Sequence, residues 1–328
     1  MTPRLPVHGG PDGGPPVLHD FSTNASPLGP PPALLNAVMQ ADRSRYPDPH
    51  YRALRSLLGD ERRVLPTAGG AEGIRRLTLA AHLTGRREVW APEPGFGDYA
   101  LAAQALGMAV RAYASPEDIR PSATALVWIC EPCNPTGASV ATWPTLQAGA
   151  HGALVVVDRA YEPLRLHGAT PALPPGAWQM VCPNKALGLT GVRAGYLVAP
   201  EADAVWAQAL SLAPSWVLSA EGVALLTHWL TADTQAWLAQ ARATLRSWTA
   251  QQRNLLAGLG WEQLPSTTPF WLARPPHHDT AARLREHAIA VRDATSFGLP
   301  GWVRVSTQTP AAQQALRQVL MQMQGETR

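Results

Sequence analysis

The stretch from Val155-Val156-Val157-Asp158 through Cys182-Pro183-Asn184-Lys185 to Arg193 places a carboxylate, an amine and a guanidinium close together in the chain. Lys185 is the only lysine; every other member of the 27 lysines and arginines is arginine. Arginine stays protonated at any working pH, whereas a desolvated lysine amine gives up its proton and attacks a carbonyl carbon to form a Schiff base. A sequence that has arginine wherever a positive charge suffices, and lysine only here, points to a primary amine with chemistry to perform. A solitary surface lysine is the plain alternative, and the neighbouring residues argue against it.

Asp158 is the first polar residue after the apolar run Leu154–Val157. In open α/β sheets ligands bind just beyond the carboxyl ends of the strands, so this carboxylate either caps a turn or faces a ligand. Asn134-Pro135-Thr136-Gly137 also follows an apolar run and reads as a turn. Gly69-Gly70-Ala71-Glu72-Gly73 leads into a helical pattern. Its free N–H groups form either a simple loop-to-helix turn or a cradle for a phosphate. It is neither a Walker loop nor a G-x-G-x-x-G match. An amine, a carboxylate for a pyridinium nitrogen, a phosphate cradle and a nearby arginine are the parts that a pyridoxal phosphate site needs.

The elements that must position these groups alternate. Strands are expected at Glu88–Ala91, Ala109–Tyr113, Ala125–Cys130, Leu154–Asp158, Gln179–Cys182 and Gly195–Ala199, with helices at Glu72–Leu83 and Tyr99–Leu106. That order predicts an α/β fold with a mostly parallel central sheet flanked by helices. Upstream, residues 1–30 read as an extended arm, followed by helices over Ala33–Asp42 and Tyr51–Leu58, the second ending at Gly59. A long amphipathic stretch over Val217–Leu259 carries Trp229, Trp237 and Trp248 as packing residues. Strands at Phe270–Ala273, Ile289–Arg292 and Trp302–Ser306, with helices at Thr280–His287 and Ala311–Met323, predict a smaller α+β C-terminal lobe. The expected division is an arm over 1–30, a large cofactor-binding domain over 31–213 and a small domain over 214–328.

An apolar content of 46% against 16% charged residues is a folded profile, and 328 residues suffice for two lobes. The formal charge of +3 comes from scattered arginines without a basic block, so neither nucleic acid nor a lipid surface is expected as a partner. Anionic small molecules remain as ligands. Met1–Pro16 has no apolar signal-like core and no apolar run approaches spanning length, so the expected location is cytoplasmic. The three cysteines are too few for a disulfide scaffold. Cys130 and Cys133 form a C-x-x-C pair, read as strand-end thiols rather than half a metal site because no second ligand pair follows at zinc spacing.

The sequence resembles the fold-type I aminotransferase superfamily of pyridoxal-phosphate enzymes. Within it the chain is similar to the histidinol-phosphate aminotransferase group and to threonine-phosphate decarboxylase of cobalamin synthesis. The landmarks, in order, are His8-Gly9-Gly10, Asp20-Phe21-Ser22-Thr23-Asn24, Pro27-Leu28-Gly29, Arg45-Tyr46-Pro47-Asp48, Pro94-Gly95-Phe96, Asn134-Pro135-Thr136-Gly137, Asp158 with Tyr161, Lys185, Gly191–Tyr196 and Val303-Arg304-Val305. The decarboxylase likeness rests on the first two and on Pro-Gly-Phe.

The resemblance implies Lys185 as the cofactor-bearing lysine and general acid/base, and Asp158 as the partner of the pyridine nitrogen. Asn134 and Tyr161 would hydrogen-bond the ring oxygen, with Phe96 stacked on the ring. Gly70, Ala71 and Arg193 would bind the cofactor phosphate, and Tyr46 would reach it from a second subunit, making a homodimer with shared active sites. Arg304 would grip the substrate carboxylate with Arg292 assisting, while Asn24 and His8 would line the substrate side, His8 meeting a substrate phosphate. The implied substrate is a small amino acid or amino acid phosphate. The rival readings are amino transfer from a phosphorylated or aromatic donor, and a non-catalytic ligand-sensing protein, against which intact Lys185 and Asp158 speak. Several positions depart from the family pattern. Cys182-Pro183-Asn184 stand where hydroxyl residues usually precede the lysine, Arg159 replaces an acidic residue, and Ser26 and Ser219 stand where asparagine is usual.

Overall fold

The computed structural model describes residues 9–140, 143 and 152–326; His8, one of the expected substrate contacts, lies outside the described residues. A two-residue strand β1 (His19–Asp20) precedes helices α1 (Pro32–Met39) and α2 (Arg52–Leu58). Pro32 occupies the first turn of α1, where its missing N–H has no intrahelical role, and Leu34 and Val38 are the buried positions. The helix stops at Met39, short of the expected Asp42. Gly59 ends α2 as expected.

There follow β2 (Val64–Thr67), α3 (Gly70–Leu83), β3 (Glu88–Pro92), α4 (Asp98–Gln104), β4 (Ala109–Tyr113), β5 (Ala125–Cys130), β6 (Leu154–Asp158), β7 (Trp178–Val181) and β8 (Gly195–Val198). They form a seven-stranded sheet in the order β2-β8-β7-β6-β5-β3-β4. All pairings from β7 to β4 are parallel, and β8 runs antiparallel to both β7 and β2. Strands β5 and β6 are buried on both faces. Leu126, Trp128, Leu154 and Val156 join one apolar cluster, and Val127, Ile129, Val155 and Val157 join another. The continuous apolar runs in these strands have this cause, since helices and loops cover both faces of a central parallel sheet.

Helices α5 (Ala204–Ser211), α6 (Ala220–Trp229) and α7 (Ala232–Gly258) come next. The amphipathic stretch expected over 217–259 is therefore two helices broken at Leu230-Thr231. Ser219 caps α6, its Oγ accepting from the Gly222 N–H at 3.2 Å. Leu218, Leu225, Leu226, Trp229, Leu238 and Leu245 share the main cluster with the sheet, and Trp237 and Trp248 pack against it. The main core thus continues past residue 213 into α7.

The remainder comprises β9 (Glu262–Gln263), β10 (Phe270–Arg274), α8 (Thr280–Glu286), β11 (Ile289–Ala290), β12 (Arg292–Asp293), β13 (Val303–Ser306) and α9 (Pro310–Glu326). The strand expected over Ile289–Arg292 is divided at Val291. Its first half pairs parallel with β1, and its second joins the antiparallel sheet β12-β13-β10-β9. Phe21 is fully buried with Leu256, Trp271, Ile289, Val305 and Leu316. Residues just after β1 therefore complete the core of the C-terminal lobe.

Candidate active site

The carboxyl ends of β2, β3, β5, β6 and β7 and the amino end of the reversed strand β8 lie along one edge of the large sheet. Register fixes the alignment: Cys130 pairs with Asp158, Asp158 with Met180, Val181 with Tyr196, and Thr67 with Gly195. The residues that leave these ends are Gly69-Gly70, Phe96, Asn134, Asp158, Lys185 and Arg193. Pieces dispersed over more than a hundred positions of sequence are gathered in this way at the usual ligand edge of an open α/β sheet.

Asp158 is buried, and its two oxygens accept from the Tyr99 hydroxyl at 2.6 Å and the Ala160 N–H at 2.9 Å. Burial pushes its carboxyl above the ordinary value, against the opposing hydrogen bonds and the charge of Lys185. Tyr99 is itself fully buried and stacks on Trp128 with ring centroids 5.1 Å apart. The carboxylate is thereby held rigidly at the floor of the site. The half-buried Lys185 carries its Nζ 5.0 Å from the centroid of the Tyr161 ring. Burial favours the neutral amine, but Tyr161, Cys182 and Asp158 outweigh it, and the pKa is raised. The chain without cofactor holds this lysine as an ammonium.

On the other side of Lys185 is a polar cluster. Asn24 donates through Nδ2 to the Tyr161 hydroxyl at 3.2 Å and to Asn134 Oδ1 at 3.4 Å. Arg304 donates through Nη1 to the same Asn134 oxygen and through Nη2 to the Ser22 carbonyl, both at 2.6 Å. Its guanidinium is 5% exposed, forms no ion pair among the described residues, and keeps a buried Nε without an acceptor. Burial brings its pKa down to about 10, with Arg292 adding to the fall and Tyr161 and Asp20 opposing it. A desolvated cation with spare donors is suited to an incoming carboxylate, which accepts two parallel hydrogen bonds from such a fork. Arg292 is directly opposite Arg304 in the β12–β13 register, and it donates to the Asp293 carbonyl and to Ser296 Oγ.

At the opposite end, Gly69 (φ 83°) caps the amino end of α3. A Cβ at Gly69 would meet Arg193 Nη2 at 2.6 Å, so the exposed guanidinium lies directly over the helix start. The first N–H groups of α3 have no intrahelical acceptor and, with Arg193, make an anion cradle. Beneath it Cys182 packs against Gly70 and Gly195. Its thiol is pushed up to about 12 by burial and by Asp158, so it fills space there as a neutral group. Phe96 stands half-buried, edge-on to Tyr99 at 5.8 Å. Tyr46 is not part of this cluster within one chain: it is 76% exposed and stacks on Trp216 at 4.2 Å.

The sequence profile of the family described as "Aminotransferase class I and II" matches residues 17–320. The chain belongs to that family. Histidinol-phosphate aminotransferase of Halorubrum lacusprofundi is 31% identical over 316 residues, covering 89% of this chain and 85% of the relative. Among solved structures, L-threonine-O-3-phosphate decarboxylase from Porphyromonas gingivalis superposes with a TM-score of 0.75 at 23% identity, covering 93% of this chain and 99% of that one. Histidinol-phosphate aminotransferase from Sinorhizobium meliloti in complex with pyridoxal 5'-phosphate gives 0.73 at 22%, covering 94% and 92%. The protein is a pyridoxal-phosphate-dependent enzyme with the fold-type I architecture.

The enzyme's own residues fit that cofactor. The glycine cradle, which a Cβ would fill, offers N–H donors and Arg193 to a phosphate, and the buried Asp158 offers a carboxylate to a protonated ring nitrogen. Asn24 Oδ1 is buried with no partner, a further sign that the cluster is built around a polar guest. Sequence reasoning did not find Tyr99, which fixes Asp158, nor the ionic group of Arg165 with Glu131 and Glu162. Arg165 donates to both carboxylates and to Ser139, tying the loop that bears Asn134 to the turn after Tyr161. Both depend on contacts between distant elements. No group of three or more possible metal ligands occurs among the described residues.

Proposed function

We propose that the enzyme decarboxylates L-threonine O-3-phosphate to aminopropanol phosphate, a reaction of cobalamin synthesis. The observation that carries this reading is the pair of buried arginines, Arg292 and Arg304, adjacent in register, with the arm passing over Arg304. A Cβ on Gly9, the residue after His8 in the sequence, would meet the Ser22 carbonyl oxygen at 2.1 Å and Arg304 Nη2 at 2.9 Å. Two buried guanidiniums, one of them beneath a glycine arm, suit a small substrate with two anionic groups, a carboxylate and a phosphate.

Pyridoxal phosphate, when bound, supplies an electrophilic carbonyl carbon and a ring that draws electrons from the substrate Cα. In this reading Lys185 would hold the cofactor and would move a proton at Nζ to or from the substrate Cα. Asp158 keeps the ring nitrogen protonated. Asn134 and Tyr161 hydrogen-bond the ring oxygen, Phe96 covers the ring, and Gly70, Ala71 and Arg193 hold the phosphate. Arg304, with Arg292 and Asn24, would grip the substrate carboxylate, and the orientation they impose would select the bond that breaks. His8 meets the substrate phosphate, and Tyr46 reaches the cofactor phosphate of a second copy, so the enzyme works as a homodimer.

A second reading, transfer of an amino group from histidinol phosphate, is supported by the 31% identity to the histidinol-phosphate aminotransferase of Halorubrum lacusprofundi. It uses the same lysine and the same carboxylate. Incubation of the purified enzyme with L-threonine O-3-phosphate, measuring carbon dioxide, separates the two. Release of carbon dioxide without any keto acid is expected. Amino transfer from histidinol phosphate to a keto acid, with no carbon dioxide from threonine phosphate, would overturn the first reading in favour of the second.

A further inference from the structure

Cys130 ends β5 and is buried, whereas Cys133, in the loop that leads to Asn134, is half-buried; both thiols are free. The Cys130 sulfur accepts from the Asn134 N–H at 3.4 Å and its thiol donates to the Pro132 carbonyl at 3.4 Å. The nitrogen of Asn134 is bonded to the carbonyl carbon of Cys133, so the first sulfur lies beside the backbone of the second cysteine. The Cys133 thiol donates to the Pro94 carbonyl at 3.9 Å. The Cys133 backbone is fixed on both sides, its N–H donating to the Ala138 carbonyl at 2.8 Å and its carbonyl accepting from the Gly137 N–H at 2.7 Å. Little chain freedom is left to lose in joining the sulfurs.

The two thiols are unequal. The neighbouring Cys130 thiol, helped by Thr136, holds the Cys133 thiol below its ordinary range despite burial. The same contact, with burial and the charge of Asp158, pushes Cys130 well up. A more acidic, partly accessible thiol beside a buried one is the arrangement of an attacking and a resolving cysteine. Cys182, buried under the glycine cradle, stands apart from the pair.

We propose that Cys130 and Cys133 are a modification site, oxidised by a peroxide to a reversible disulfide that disorganises the active site. The Cys133 thiolate attacks one peroxide oxygen and breaks the O–O bond, giving a sulfenic acid and, with one proton, water. The Cys130 sulfur then bonds to the Cys133 sulfur and displaces hydroxide, which leaves as a second water with the Cys130 thiol proton. Two thiols give up two electrons and two protons, and one peroxide becomes two waters. A thiol reductant reverses the step by exchange.

The disulfide reaches the site through Asn134. The Cys130 sulfur, drawn toward Cys133, withdraws from the Asn134 N–H, and Asn134 holds Arg304 through Oδ1.

Holoenzyme treated with hydrogen peroxide, then denatured and alkylated, tests this by mass spectrometry together with the cofactor absorption band. Alkylatable thiols are expected to fall from three to one. The intact mass should drop by about 2 Da. The band should shift, and dithiothreitol should restore both. Cys133→Ser and, should that variant fold poorly, Cys133→Ala should keep their two remaining thiols and an unchanged band. The proposal is overturned if all three thiols stay alkylatable, if the bond formed involves Cys182 or a second chain, or if Cys133 goes to sulfinate beside an intact Cys130. A band shift that persists in the Cys133 variants, or a disulfide that leaves the band unmoved, overturns the link to the site.

Discussion

Replacing Asp158 with asparagine separates what the carboxylate does to the folded chain from what it does for the cofactor. The amide keeps the volume and still accepts from the Ala160 N–H, and the Tyr99 hydroxyl turns from donor to acceptor at the same 2.6 Å separation. Burial is the leading cause that raises the Asp158 carboxyl above its ordinary value. A carboxyl with its folded pKa above its unfolded one stabilises the fold fully only below the unfolded value, near about 4, and that contribution is lost as pH rises through the folded value. Each unit of elevation leaves the cofactor-free wild type about 1.4 kcal/mol less stable at neutral pH than a neutral group would. Cofactor-free Asp158→Asn should therefore melt above wild type at pH 7, with the gap closing as pH falls toward the carboxylate range. Its affinity for pyridoxal phosphate should move the other way. Truncating one partner of a buried charged hydrogen bond costs about 2–5 kcal/mol, a loss of roughly 30- to several-thousand-fold. Thermal melts of the cofactor-free protein across pH, and an absorbance titration with pyridoxal phosphate, read the two effects. A variant that melts lower than wild type at pH 7, or binds the cofactor as tightly, refutes the reasoning.

Gly69→Ala should destabilise the fold by about 1–3 kcal/mol, because alanine meets a strained backbone at φ 83° and a Cβ there displaces Arg193; cofactor affinity should fall with it in the same titration, and unchanged affinity would remove Arg193 from the cradle. Arg165→Met leaves Glu131 and Glu162 buried without their cation, for which a loss of about 3–5 kcal/mol in urea unfolding is expected. Light scattering should give a dimer, and Tyr46→Phe should weaken cofactor retention without lowering the melting temperature of the cofactor-free chain; a fully active monomer would contradict the shared site.

Strands β4, β5 and β6 match their expected bounds residue for residue, since each is a short run rich in β-branched and apolar residues ended by a change of texture. Strand β2 has no such signature: Pro66 interrupts it, which an edge position tolerates because β2 pairs only with β8. Lys185 was legible from residue type alone, and Asp158 from its place after an apolar run. Tyr99 was not, because its role exists only where α4 packs beside the end of β6. The expected boundary at 213/214 followed a change in sequence texture, whereas the apolar clusters divide within α7, between Leu245 and Leu256. Amphipathic helices show a buried face to sequence reasoning but not the core that receives it. The residues proposed for the cofactor side stand out locally in the sequence; the setting of Arg304, which depends on Ser22 at a separation of 282 residues, does not.

That separation has a consequence for biosynthesis. Phe21 fills the C-terminal lobe's core, β1 pairs with β11, and the Phe21 carbonyl accepts from Ser306. During translation residues 19–24 leave the ribosome long before any of these partners exists. Domains assemble from the N-terminal side as synthesis proceeds at about 5–20 residues per second, so this segment waits many seconds, solvated, after the large sheet has the strands it needs. The arm is made before the large sheet and is among the last parts seated. A nascent chain with the lysine and carboxylate already in place therefore still lacks Arg304 and its carbonyl support, and with Arg304 in its proposed role it cannot hold a substrate before its C-terminal lobe has emerged.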